Sequence, residues 1–203
     1  MKTIIYNGNK FEVPSDVYEP DEDTYLLLEN LSIEEGETFL EIGTGSGINS
    51  IMAAKEGGNG IVTDIAEKAL NCAKKNAENH EVEDKIEFRK GDLFEPIDKD
   101  EKVDLIIFNP PYLPIKEGER LETDLRKAWD GGPTGREIID DFLKDFEKYL
   151  KEKGRVLLIH SSLIDKEKTL KKIEEKGFKV DIEEKKSFFE NIFLFKSKKS
   201  TER

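Results

Sequence analysis

From Thr38 onward the chain alternates short apolar runs with helix-length stretches, and that alternation limits its fold more than any other feature. Apolar runs at Thr38–Ile42, Gly60–Asp64, Lys85–Lys90, Val103–Phe108, Arg155–His160, Lys179–Glu183 and Asn191–Phe195 read as strands. Helical patterns fill Ile48–Glu56, Glu67–Asn79, Arg136–Leu150 and Lys166–Lys176. Strands separated by helices imply a mostly parallel sheet covered on both faces. The last two strands are joined only by Glu184 to Glu190, too short for a crossover helix, so they are expected to be antiparallel neighbours. Ahead of this core, Lys2 to Val13 predicts a hairpin turning at Asn7-Gly8. A helix is expected over Asp21 to Leu31, with Leu26, Leu27 and Leu28 packed inward.

Three strand ends carry residues suited to a ligand. After the first core strand comes Glu41-Ile42-Gly43-Thr44-Gly45-Ser46-Gly47, a G-x-G-x-G turn in which Ile48 occupies the place of a dinucleotide fingerprint's third glycine. Such a turn permits close backbone approach without the spacing for a pyrophosphate, which suits an adenosyl amino acid such as S-adenosylmethionine (SAM). Asp64 ends the next strand, twenty-one residues after Gly43, where an acid meets ribose hydroxyls. Asp92 follows the third strand and is placed to accept from an adenine amine. Taken singly, each acid also reads as a solvated loop residue or a helix cap.

The fourth core strand, Val103–Phe108, runs into Asn109-Pro110-Pro111-Tyr112. Each proline removes a backbone donor and fixes φ, and the residue before a proline is pushed to an extended conformation. The product is a stiff corner with a side-chain carbonyl, main-chain carbonyls and an aromatic face. It suits a planar NH2 group: two acceptors take the two hydrogens while Tyr112 covers the flat face. The competing reading is a rigid turn that merely caps a strand.

Asn109–Tyr112, the segment Asp16-Val17-Tyr18-Glu19-Pro20-Asp21-Glu22-Asp23-Thr24-Tyr25-Leu26-Leu27-Leu28 and the segment Ala128-Trp129-Asp130-Gly131-Gly132-Pro133-Thr134-Gly135-Arg136-Glu137 together resemble the HemK-like protein-glutamine methyltransferases. The similarity is to the short archaeal and eukaryotic branch of that family. It implies a class I SAM-methyltransferase (Rossmann-like) α/β fold, with a seven-stranded, mostly parallel sheet and a reversed last strand. It implies a single domain over 1–203: an N-terminal hairpin and helix at 1–33 and a catalytic core at 38–197. It assigns SAM contacts to Thr24, Glu41, Gly43, Gly45, Asp64, Asp92, Leu93 and Asn109, with Glu41 expected at the donor's ammonium group and S-adenosylhomocysteine as product. Catalysis falls to Asn109, Pro110 and Tyr112. Asn109, Pro110, Pro111, Tyr112 and Trp129 are expected to contact substrate. The irregular stretch Leu113 to Pro133 is expected to cover it. The implied substrate is the glutamine of the Gly-Gly-Gln motif in a class I translation release factor. Several members of the family need a small zinc-binding activator subunit. Ile86 and Phe88 would serve that contact if their strand is a sheet edge.

Composition narrows the alternatives. The 203 residues carry a net charge of −12, and the basic clusters alternate with Glu, so nucleic acid is a poor match for the surface. Charged residues make up 38% of the chain and Gln is absent, the pattern of a heat-adapted protein. One cysteine, Cys72, and two histidines, His80 and His160, do not supply a metal centre. No apolar stretch has the length of a membrane span and Met1 to Asn7 lacks a signal-peptide pattern, so a cytoplasmic location is expected. Lys198 to Arg203 is expected to fray. Two other functions use the same features. One is methylation of an exocyclic amine in DNA or RNA, for which the chain leaves no separate target-recognition region. The other is a non-catalytic SAM-fold subunit, which the intact Asn109–Tyr112 segment argues against.

Overall fold

The computed structural model describes residues 1–115, 128–187 and 189–200. Seven strands form one sheet, and they are named with the N-terminal hairpin in chain order. The hairpin is β1 (Lys2–Tyr6) and β2 (Asn9–Val13). The sheet strands are β3 (Thr38–Ile42), β4 (Asn59–Asp64), β5 (Ile86–Lys90), β6 (Val103–Phe108), β7 (Leu150–Ser161), β8 (Phe178–Lys186) and β9 (Asn191–Lys199). The helices are α1 (Glu22–Asn30), α2 (Ile48–Lys55), α3 (Glu67–Asn79), α4 (Glu137–Asp145) and α5 (Lys166–Glu175). The sheet order is β5-β4-β3-β6-β7-β9-β8. β9 runs antiparallel to both neighbours, as the short connector requires. Among the described residues no helix is long and apolar enough to cross a membrane.

The chain forms two compact units, 1–97 and 98–203. In the first, β3, β4 and β5 pair in parallel, with Leu40 opposite Ile61 and Val62 opposite Phe88. Phe39, Leu40 and Val62 are buried, as strands covered on both faces must be. The β1–β2 hairpin turns at Asn7 and Gly8, both at positive φ, the geometry of a primed two-residue turn. One side chain anchors the hairpin to α3. Asn76, fully buried, accepts from Glu12 N at 3.0 Å and donates to Glu12 O at 3.0 Å and to Ser46 O at 2.9 Å. It reproduces a strand partner for one residue and satisfies groups that burial would otherwise leave unpaired. Cys72 lies beneath the same hairpin, its thiol donating to Glu12 O, and burial pushes its pKa up to about 11. It is an inert, packed thiol.

In the second unit, β6 and β7 pair in parallel, and a fully buried aromatic row, Phe108, Phe142 and Phe146, stacks beside them. Three expectations need correction here. The helix expected to reach Leu150 ends at Asp145 and passes through a 3-10 turn, Phe146–Tyr149. The strand expected from Arg155 begins at Leu150, opposite Val103, and bulges before Arg155 meets Leu105. Lys198 and Lys199, expected to fray, are strand residues paired with Lys179 and Phe178. Strand pairing along β8 satisfies their backbone groups, which polarity alone could not reveal.

Candidate active site

In the first unit the Gly-rich turn leaves β3 and is sutured to β4. Gly43 N and Thr44 N both donate to Thr63 O, at 2.8 and 3.0 Å, and Gly47 N donates to Thr44 O at 2.9 Å. Gly43 and Gly45 have positive φ, and a Cβ built on either would meet nothing within 4 Å. Their faces are open, so a ligand can reach the main chain there. Gly47 differs: a Cβ on it would lie 2.9 Å from Ala73, so that glycine serves the packing of α2 against α3.

Asp64, at the end of β4, joins three loops. Its Oδ2 accepts from Gly45 N at 3.1 Å and its Oδ1 from Ala66 N at 2.8 Å, while its main-chain O accepts from Gly91 N at 3.2 Å. Burial raises its pKa, and the backbone donors oppose that shift. An ionised carboxylate has about four lone-pair sites, more than the backbone donors of Gly45, Ile65 and Ala66 fill. Beyond Gly91, Asp92 is exposed and Leu93 has φ 45°. A bulky residue in the left-handed region costs roughly 1–3 kcal/mol and is held by its surroundings. Here the turn is closed by Glu95 N donating to Asp92 O and Ile97 N to Phe94 O.

Glu41 is turned inward. It is 2% exposed, and its two oxygens accept from Thr44 Oγ1 at 2.7 Å and Asn49 Nδ2 at 2.9 Å. Burial pushes its pKa up to about 7 despite those bonds. The carboxyl braces the Gly-rich turn from beneath. Thr24 is buried as well; its N and Oγ1 donate to Asp23 Oδ1, and Tyr18 Oη donates to both oxygens of Asp23 at 2.9 Å. Tyr18 and Asp23 therefore fix the loop that leads into α1, a pairing that no local sequence signal marks.

This first-unit set fits SAM. Open glycine main chain suits the amino-acid part, and Asp64 has spare acceptor sites for ribose hydroxyls. Leu93, at positive φ, and the exposed Asp92 are the residues that would meet the adenine.

In the second unit Asn109 follows β6, with Pro110 buried and Pro111 and Tyr112 half-buried. All peptide bonds of the described residues are trans. The segment after the corner is clamped by the stretch that the sequence marked downstream. Leu113 N donates to Trp129 O at 2.9 Å, Gly131 N to Leu113 O at 3.0 Å and Ile115 N to Gly132 O at 3.0 Å. The two glycines beside the corner are steric necessities. A Cβ on Gly131 would lie 2.8 Å from Tyr112 Cα, and one on Gly135 2.4 Å from Tyr112 O. Glu137 closes the clamp by accepting from Thr134 N and Oγ1 and from Arg136 N. Trp129, the expected substrate wall, is 40% exposed. Residues 116–127, most of the stretch expected to cover the substrate, lie outside the described residues.

Tyr112 Oη reaches Glu190 Oε1 at 3.5 Å, and Ser161 Oγ donates to Glu190 Oε2. Neither Glu190 nor Ser161 belongs to a recognisable local motif; strand pairing brings them to the tyrosine. His160 is buried beside them in the chain, its Nε2 bonded to Thr169 Oγ1 at 2.9 Å, and burial pulls its pKa down to about 4. Thr169 in turn accepts from Arg136, whose guanidinium also holds Asp140. This network is structural.

On β5, the first strand of the sheet order, Ile86 is buried and Phe88 half-buried. The strand is an edge, as a partner contact there would need, but Ile86 belongs to the core.

The chain matches the methyltransferase small domain family over residues 15–188. A Methanocaldococcus jannaschii protein provisionally named protein N5-glutamine methyltransferase is 44% identical over 180 residues, covering 88% of this chain and 89% of the relative. Human methyltransferase HEMK2 is 35% identical, with 80% of each chain covered. Among solved structures, the E. cuniculi Mtq2-Trm112 complex, described as responsible for methylating the eRF1 translation termination factor, superposes with a TM-score of 0.70 at 26% identity. The match covers 91% of this chain and 99% of that one. By fold, motif and descent, the chain belongs to the methyltransferase small domain family and, within it, to the SAM-dependent protein N5-glutamine methyltransferases.

Proposed function

We propose that the protein methylates the side-chain amide nitrogen of the glutamine in the Gly-Gly-Gln motif of a class I translation release factor, in the cytoplasm, with a small partner subunit assisting. The observation that carries this reading is the Asn109-Pro110-Pro111-Tyr112 corner at the end of β6, with Gly131 and Gly135 packed closely against the Tyr112 main chain. The substrate class follows the relatives: the Mtq2-Trm112 structure, described as responsible for methylating the eRF1 translation termination factor, aligns over 91% of this chain.

SAM, when bound, supplies a methyl group on a positively charged sulfur. The chain's residues then supply position. Asp64 and the open turn at Gly43 and Gly45 hold the adenosyl amino acid, with Asp92, Leu93 and Thr24 completing its pocket. Asn109 Oδ1 and the Pro110 carbonyl accept the two amide hydrogens of the glutamine. An amide nitrogen is a poor nucleophile because its lone pair is delocalised, and two accepted hydrogen bonds return density to it and aim it. Tyr112 stacks on the amide plane and excludes water, and Trp129 walls the acceptor chain. Nitrogen bonds to the methyl carbon as the carbon–sulfur bond breaks with its electron pair going to sulfur. The amide proton leaves to solvent, so no strong base is required.

The test is transfer of labelled methyl from SAM to release factor, DNA, RNA and an unrelated protein in parallel, with and without a candidate partner subunit. Label is expected on the Gly-Gly-Gln glutamine, and Gln→Glu at that position should abolish it, because a carboxylate lacks the NH2 donors. Asn109→Ala should cut turnover by about a hundredfold through loss of a preorganised acceptor, with far less effect on SAM affinity. Label entering nucleic acid while the release factor stays unmodified would overturn the reading.

A further inference from the structure

A stacking platform works only if its ring stays in place. A tyrosine ring turns about two torsions, and the clamp described above fixes the main chain of Tyr112. Preorganised sites hold their working groups within about 0.5 Å, through supporting side chains that are themselves locked. Tyr112 Oη meets one such side chain. We propose that Glu190 is a positioning residue for methyl transfer, holding the Tyr112 ring in the plane that receives the acceptor amide. The proposal rests on the reading that Tyr112 lines the acceptor site.

Glu190 is built as an anchor. It stands just before β9, and its own carbonyl accepts from Ser187 N at 2.9 Å. Asn191 beside it is fixed in both directions: its N donates to Ser162 Oγ and its O accepts from Ser162 N, each at 2.9 Å. One carboxylate oxygen takes the hydrogen of Ser161 Oγ. Ser161 is fully buried at the end of β7, and its Oγ also accepts from Leu163 N at 3.0 Å, which fixes the direction of its own hydrogen. The second oxygen is thereby aimed at Tyr112 Oη, 3.5 Å away. That separation is long for an O–H···O bond, and catalytic contacts of this kind commonly tighten when the substrate presses on the ring. A phenolic hydrogen given to Glu190 is not offered to the acceptor amide.

The experiment uses the whole chain. Glu190→Ala should lower kcat about tenfold, the scale of a displacement well under 1 Å at a reacting centre, while the KM for SAM and the Tm stay near wild type. Tyr112→Phe should cost as much, and the Tyr112→Phe/Glu190→Ala double variant should cost no more than either alone. Glu190→Gln should restore most of the rate, because its amide can accept from Tyr112 while donating to Ser161 Oγ. A Glu190→Ala enzyme with wild-type kcat, or effects that multiply in the double variant, would overturn the proposal. A second readout needs no acceptor. The chain has five tyrosines, so ring-labelled tyrosine gives five NMR signals, and Tyr112→Phe identifies one of them. Glu190→Ala should shift and broaden that signal alone; an unmoved Tyr112 signal would also overturn the proposal. If wild type fails to methylate glutamine, the functional reading falls, and the NMR result still decides whether Glu190 holds the ring.

Discussion

Glu41 and His160 carry pH dependences that hide each other. Burial raises Glu41 to about 7 from an ordinary 4.5, so the stability linked to its proton is present below pH 4.5 and lost as pH rises through 7. Burial, aided by the Arg136 charge, lowers His160 to about 4 from an ordinary 6.5, so its contribution is present above pH 6.5 and lost as pH falls through 4. At about 1.4 kcal/mol per pH unit, each amounts to about 3 kcal/mol, with opposite sign. Wild type should therefore show a nearly flat Tm between pH 4.5 and 6.5. Glu41→Gln should uncover a Tm that climbs from pH 4 to 6.5, and His160→Asn one that falls from pH 4.5 to 7. Thermal melts of the three proteins across pH 4–8 check this, and parallel curves would contradict it. The same residue shows what the sequence made legible at the site. It put Glu41 and Asp64 at the ends of neighbouring strands, and both carboxylates bond the Gly-rich turn, Glu41 through Thr44 and Asp64 through Gly45 N. A central parallel strand is buried on both faces, so alternation along it does not tell that Glu41 also takes Asn49 as a partner.

At the scale of elements, the Asn109–Tyr112 corner is held by two stretches that meet through main-chain bonds. Gly135 decides how closely they approach. Its φ is +75°, and an added Cβ would lie 2.4 Å from Tyr112 O and 2.7 Å from Ile164. Left-handed backbone alone costs a non-glycine residue roughly 1–2 kcal/mol, and the clash comes on top of that. Gly135→Ala should therefore lower stability by at least about 2 kcal/mol. It should reduce turnover more than SAM affinity, since the damage falls on the corner and not on the Gly-rich turn. Denaturant melts with SAM calorimetry measure both, and equal losses of the two would argue against the clamp. The segment around Gly131 and Gly135 was visible in the sequence; its partner was not, because a parallel bridge between Leu113 and Asp130 leaves no periodic trace. Element ends were the least legible part. Leu150-Lys151-Glu152-Lys153-Gly154 reads as a helix end, but pairing with Val103 draws Leu150 into β7. Glu190 and Ser161 come to Tyr112 only through the β7–β9 pairing that places Ser161 opposite Ile192.

For the molecule as a whole, the order of strands and helices was readable because each run was long enough to show its period and short enough to need the next. Net charge was the second global quantity, and it bears on what the enzyme meets. At −12, the chain repels a phosphate backbone at a distance and attracts a basic protein surface. Its ion pairs, such as Lys90–Glu67 and Lys68–Asp16, are largely exposed and set lysines beside carboxylates. Fields of this kind act on encounter and weaken with salt, the Debye length shrinking to about 8 Å at physiological ionic strength. For a basic acceptor protein, kcat/KM should then fall severalfold between about 0.02 and 0.3 M salt, with kcat unchanged, because association and not the chemical step feels the field. A short neutral peptide carrying Gly-Gly-Gln should show almost no salt dependence. A 30-nucleotide DNA or RNA should bind too weakly at 0.15 M salt to retain in anisotropy measurements, and weak binding at low salt should not sharpen into a steep slope. A steep fall of nucleic-acid affinity with salt would report several phosphate contacts released together, the signature of a true nucleic-acid site. That result would mean a basic groove lies within the acidic total, and the exocyclic-amine reading would replace the glutamine one.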